Sequence, residues 1–182
     1  MKSTHRILLT LMSTVVFPLV AHAADTPEKA TYAAAKDTAE ANYKAARQQC
    51  KSLAGNAEDV CVVQAKASRV HEVSNAEAQY KNTPKARANA QKDIADADYD
   101  VAKAKCNSMA GNDKDVCVKQ AKAAKVAQTA DAKAAEKTSE ARTDANDAKR
   151  DADYAAAKEK CDSFAGTAKD DCIANAKMKY GK

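Results

Sequence analysis

Apolar residues recur along much of this chain at steps of three and four. Val60, Val63, Ala67 and Val70 form one series, and Val116, Ala123 and Val126 form a second. That spacing lines up a narrow apolar seam on one side of an α-helix. Lys119 interrupts the second seam, and Asp171 stands in a third stretch where the first has Val60, so a third helix pair is expected to be the least well buried. No segment reads as strand. Tyr43, Tyr99 and Tyr154 each stand seven residues ahead of a cysteine, which puts ring and sulfur on one helical stripe. The plain reading packs each ring against a disulfide and the returning helix. The sharper one has it stacking on a sugar or a peptide.

Three near-copies of one string show where helices stop: CKSLAGNAEDVC at 50–61, CNSMAGNDKDVC at 106–117 and CDSFAGTAKDDC at 161–172. Gly55, Gly111 and Gly166 suit the left-handed C-terminal cap of one helix. Asn56, Asn112 and Thr167 suit the N-cap of the next, with Asp59, Asp115 and Asp170 in the place of a capping box. A straight helix would hold the two cysteine Cα atoms of each string about 16 Å apart, well beyond the roughly 4.4 to 6.8 Å that a disulfide spans. Folding back at the glycine brings them level on facing helices. Elsewhere Thr26-Pro27 and Thr83-Pro84 read as an N-cap followed by a first helical residue. Ser139 replaces the proline in the third stretch, and no Gly or Pro lies between Asn112 and Ala165. A helix from about 113 to 164 therefore either runs unbroken for some 75 Å or bends at Thr138, and the lack of breakers favours a long or gently kinked rod.

The first cysteines fall at 50, 106 and 161, at spacings of 56 and 55, and the connectors align as well: TPKARANAQKDIADADY from Thr83 matches TSEARTDANDAKRDADY from Thr138. The expected organisation is about three copies of a unit of about 55 residues, at 24–82, 83–137 and a shorter 138–182. Of the fifteen possible pairings of six cysteines, the repeat and the turn single out Cys50-Cys61, Cys106-Cys117 and Cys161-Cys172. Closing each loop is worth about 3 kcal/mol on the chain-entropy account.

The chain opens MKSTHRILLTLMSTVVFPLVAHA. Lys2 and Arg6 precede an apolar run that ends in Ala21-His22-Ala23, the pattern of a secretory signal peptide cleaved after Ala23. The run is shorter than a membrane-spanning helix needs, and no later segment is apolar enough to span. The expected location is the periplasm, where disulfides persist. Losing Lys2 and Arg6 lowers the net charge from +5 to about +3. An evenly mixed surface of that kind lacks the one-sided basic face with interleaved aromatics that nucleic-acid binding requires.

Alanine makes up roughly a quarter of the chain and tryptophan is absent, the composition of long helices. Large apolar side chains are too few for a thick core, so the fold must be thin or only partly ordered. The fold class expected is all-α: an extended array of long helices and disulfide-stapled αα-hairpins. Lysines near the cysteines raise a redox reading, but redox disulfides favour Cys-x-x-Cys within an α/β fold. Zinc would need further soft ligands, and past the leader only His71 is on offer, read here as solvent-facing. With no phosphate loop, nucleophile elbow or carboxylate-histidine cluster, no catalytic, cofactor or metal residues are assigned and the chain is read as no enzyme.

The strings YAAAKEKCDSFAGTAKDDC and AKCNSMAGNDKDVCVKQAKA resemble a group of exported, Ala/Lys-rich helical repeat proteins of proteobacteria, often labelled cell envelope biogenesis protein TolA. YAAAKDTAEANYKAA is similar to the eleven-residue repeats of group 3 late embryogenesis abundant proteins, a desiccation-protective family. Neither resemblance brings catalytic residues. They imply a structural, envelope-associated or stress-protective role. The alternative is a module whose hairpins bind a protein partner or a cell-wall polymer.

Overall fold

The computed structural model describes residues 27–182; the expected leader, its cleavage site and the Thr26 cap lie outside them. The described residues form five α-helices and no strand: α1 (Pro27–Cys50), α2 (Asn56–Lys81), α3 (Pro84–Cys106), α4 (Gly111–Cys161) and α5 (Thr167–Tyr180). Among these residues each helix packs only on its neighbours in sequence. The result is an extended array of antiparallel helix pairs without a common centre, the all-α class expected.

Two kinds of corner join the helices. Three are the disulfide hairpins. The fourth, between α2 and α3, is built by three consecutive residues. Asn82 takes the left-handed conformation (φ 45°, ψ 37°) and its N–H bonds to the Ala78 carbonyl at 2.9 Å, ending α2. Thr83 is extended, and its Oγ1 accepts the Ala86 N–H at 3.0 Å. Pro84 then fills the first helical position, where its missing N–H costs nothing. In α4 the aligned stretch reads Lys137-Thr138-Ser139. The residue that would turn left-handed is missing and proline is replaced, so the helix runs through for 51 residues, about 76 Å. Of the two alternatives, the unbroken rod forms. It starts at Gly111 and stops at Cys161, because residues 162–166 belong to the third hairpin turn.

The core is made of alanine. Apart from Ser74, the buried residues among those described are ten alanines and the leading cysteine of each pair. Small side chains let the helix backbones approach closely along thin seams, and each buried methyl is worth on the order of 0.8 kcal/mol. Besides Glu40, the half-buried and buried positions on α1 are Tyr32, Ala35, Ala39, Tyr43, Ala46 and Cys50, steps of three, four and four that repeat every eleven residues. A period of about 3.67 is the one that favours a slight right-handed winding of packed helices.

The first valine seam is placed as expected, with Ala67 buried and Val60, Val63 and Val70 half-buried on α2. The second is corrected. Val116 and Val126 are 43% and 58% exposed, and Ala123 is exposed. The half of α4 that packs on α3 turns Val118, Ala121, Lys125, Thr129 and Ala132 inward instead. The cause is the number of neighbours: α2 is flanked by α1 and α3, whereas this half of α4 has α3 alone. Further along, α4 meets α5 through Tyr154, Ala157 and Cys161, and residues 141–146 and 148–153 between the two contacts are exposed.

Candidate functional site

All six cysteines are paired as the spacing predicts, Cys50–Cys61, Cys106–Cys117 and Cys161–Cys172, with Cα atoms 5.5, 5.8 and 5.7 Å apart. Each leading cysteine ends its helix, and the chain tightens there into i→i−3 bonds: the N–H groups of Leu53, Met109 and Phe164 bond to the carbonyls of Cys50, Cys106 and Cys161 at 3.0, 3.0 and 3.1 Å. Ser52, Ser108 and Ser163 donate through Oγ to the carbonyls of Gln49, Lys105 and Lys160 at 2.8, 2.9 and 2.8 Å. These bonds fix the tip and leave one large apolar side chain outward on each: Leu53, Met109 and Phe164, 44%, 46% and 52% exposed.

The glycines hold a positive φ as expected, but in a different role. Gly55 (φ 59°, ψ −140°) and Gly166 (φ 58°, ψ −142°) are the N-caps of α2 and α5, and Gly111 (φ 56°) is the first residue of α4, behind Ala110. Asn56 and Thr167 therefore open their helices from inside, and Asn112 is the second residue of α4. No side-chain cap bond closes any of the three starts, and Asn56 Oδ1 is buried without a partner. The expected caps at 56, 112 and 167 are displaced because the preceding helix stops at the cysteine, five residues before the glycine. A Cβ at Gly55 would meet nothing within 4 Å. Backbone conformation, not crowding, selects glycine there.

Below each tip lies a second repeated feature. Ten residues before the leading cysteine stands an acid, seven before it a tyrosine, and eight after the trailing cysteine the residue that meets them. In the first hairpin Arg69 pairs with Glu40 at 3.2 Å, its guanidinium 5.1 Å from the Tyr43 ring. In the second, Lys125 pairs with Asp96 at 2.7 Å and sits 5.4 Å from the Tyr99 ring. In the third, Tyr180 replaces the cation and meets Tyr154 edge-on at 6.5 Å, while Lys182 pairs with Asp151. Each clasp ties the outgoing helix to the returning one. The tyrosines thus meet the returning helix, one half of the plain reading, with a cation or a ring as the contact. Hydrogen bonding to Lys125 holds the Asp96 carboxyl below the usual carboxylate range and holds the Lys125 ammonium above its usual value. Across the third turn, Lys169 and Asp162, 2.7 Å apart, shift each other in the same directions.

His71 is corrected. It is not free in solvent: its Nε2 lies 2.8 Å from Asp98 Oδ1, half-buried where α2 meets α3. On the other side of that contact is an open cleft of about 400 Å³, with Val63, Val70 and Val73 on one wall and Asp93, Asp96 and Asp100 on the other. Among the described residues no group of three His, Cys, Asp or Glu is placed to hold a metal ion, and no helix is long and apolar enough to cross a membrane. The three disulfides fit an oxidising surrounding. No protein-family model, curated protein or solved structure matches the chain.

Proposed function

We propose that this chain is a non-enzymatic, exported structural module of the periplasm, a stapled helical spacer with an envelope-associated or stress-protective role. The observation that carries the reading is the pairing of a 51-residue helix with disulfide hairpins at both of its ends. A rod held by thin alanine seams keeps its shape outside the cell only if its ends are locked, and each staple supplies about 3 kcal/mol toward that. The leader-like start and the resemblance to exported Ala/Lys-rich proteins point the same way.

A second reading, a binding module, is favoured by one observation. Leu53, Met109 and Phe164 present one exposed apolar side chain at the same place on each tip, and a polymer or protein partner could be gripped there. The two readings separate in a strain lacking the gene, challenged with osmotic stress and complemented with variants. A spacer tolerates Leu53→Ser, Met109→Ser and Phe164→Ser together but fails when α4 is shortened by eleven residues, which keeps the helix phase and removes about 16 Å. A binding module shows the reverse. Rapid turnover in a thiol-disulfide exchange assay would overturn the non-enzymatic reading.

A further inference from the structure

We infer that two copies of this chain pair through α4, antiparallel and about a two-fold axis near residues 137 and 138, each covering a helix face that the other leaves bare. The face in question lies opposite α3 and α5. Ala123, Ala130, Ala134, Ala141, Ala145 and Ala152 are all exposed; all but Ala141 stand two residues before a buried or half-buried position of the same helix, and Ala141 lies seven residues after Ala134 on the same stripe. Two residues are about 200° of helical rotation. The face is thus continuous along both halves of the rod, with Val116, 43% exposed, on the same stripe and Val126, 58% exposed, at its edge.

What covers such a face is shown by the same chain in its first half. Ala123, Ala130 and Ala134 align with Ala67, Ser74 and Ala78 of α2, and Ala141, Ala145 and Ala152 align with Ala86, Ala90 and Ala97 of α3. Those residues of α2 and α3 are buried or half-buried where the two helices pack together. They meet because the Asn82-Thr83-Pro84 corner folds α3 back on α2. In α4 the corner is missing, and the two corresponding stretches are collinear and cannot reach each other. A second copy laid antiparallel restores both contacts at once, the exchange of equivalent elements by which domain-swapped dimers form. The register carried over from α2 and α3 sets Ala130 across from Ala145 and Ala134 across from Ala141.

The same register is complementary in charge. It places Lys133 beside Asp144 and Asp131 beside Arg142 of the second copy on the two flanks of the contact, the arrangement that selects antiparallel partners in paired helices. All four are exposed. The inference does not depend on the envelope role: it follows from the helix faces alone.

Sedimentation equilibrium of the oxidised chain over a concentration series tests it. The expected mass at high concentration is twice that of the chain, falling on dilution. Ala130→Glu and Ala145→Glu change residues exposed in the single chain, so helix content and disulfides are retained while self-association weakens at least tenfold. Ala135→Glu, off the face, leaves association unchanged. Lys133→Glu weakens it, and Asp144→Lys added in the same chain restores it. Inserting Asn between Lys137 and Thr138 together with Ser139→Pro closes the hairpin within one chain and abolishes the dimer. A wild-type chain that stays monomeric at the highest concentration overturns the inference, as does a dimer indifferent to both glutamate variants, whose contact must lie elsewhere.

Discussion

Residues 81–84 and residues 137–139 occupy the same place between successive hairpins, yet one is a corner and the other the middle of a rod. Lys81-Asn82-Thr83-Pro84 becomes Lys137-Thr138-Ser139. The residue lost is the one that turns left-handed, and the residue changed is the one that cannot continue a helix. Thr survives in both, capping α3 in one and sitting inside α4 in the other. The comparison teaches that the reach of this protein is set by very local chemistry. One missing residue and one changed residue separate a folded-back pair of helices from a single extended one, which leaves two seams uncovered.

The largest expected effect comes from forcing a break where the rod has none. Ser139→Pro removes an internal helix hydrogen bond and clashes with the preceding turn, at a cost of about 3 kcal/mol or more. Thr138 is already in place to cap a new helix, so circular dichroism should show a small loss of helix and scattering a shorter particle. An unchanged length would break the comparison. Replacing Cys161 and Cys172 by Ser should cost nearly as much, about 3 kcal/mol. It should loosen α5, held then only by the buried Ala176 and by the Tyr154–Tyr180 and Asp151–Lys182 contacts at its far end, and faster hydrogen exchange confined to residues 167–180 would show it. The same change at Cys50 and Cys61 should leave α1 partly docked, because Arg69 with Glu40 and the stacked Tyr32 and Tyr80 rings still hold it.

A smaller effect sharpens the corner itself. Thr83→Ala removes the bond to the Ala86 N–H and should cost about 1 kcal/mol, a fall in Tm of roughly 2–4 °C. Thr138→Ala, inside a helix, should cost nothing or stabilise slightly. Equal losses at the two positions would contradict the different roles given to them.

The smallest effect is a pH dependence of the α3–α4 clasp. Asp96 is held below the ordinary carboxylate range, so its contribution is present above about pH 4 and is lost as the pH falls through the depressed value. Lys125 is held above its usual range, so its contribution is present below about pH 10 and is lost as the pH rises through the raised value. Thermal melts of the chain and of Asp96→Asn should differ between those limits and converge in acid. A difference that persists in acid would mean Asp96 acts through packing.

Much of this architecture is legible in the sequence, for reasons that can be named. The staples follow from the eleven-residue separation of each cysteine pair around a glycine, because a disulfide tolerates only a narrow range of Cα distances. The start of α3 follows from Thr83-Pro84, where capping chemistry is local. Two things are harder to read. Which side of α4 faces inward depends on how many helices surround it, so the valines at 116 and 126 mark a face that nothing else among the described residues covers. The clasps of acid, tyrosine and cation pass unnoticed because each residue alone reads as solvated. Only their equal offsets from the cysteines betray them, as Glu40, Tyr43 and Arg69 recur in Asp96, Tyr99 and Lys125. The glycine role shifts because the helix ends at the cysteine and not at the glycine.

The central claim is that α4 stays one unbroken helix through Thr138. Dipolar spectroscopy between spin labels placed at residues 120 and 146 by non-cysteine chemistry, diluted with unlabelled chain, measures it directly. An unbroken helix puts 26 residues between them and predicts about 39 Å. A distance below about 20 Å, the value for two stretches folded back like α2 and α3 at about 1.5 Å of rise per residue, would contradict it.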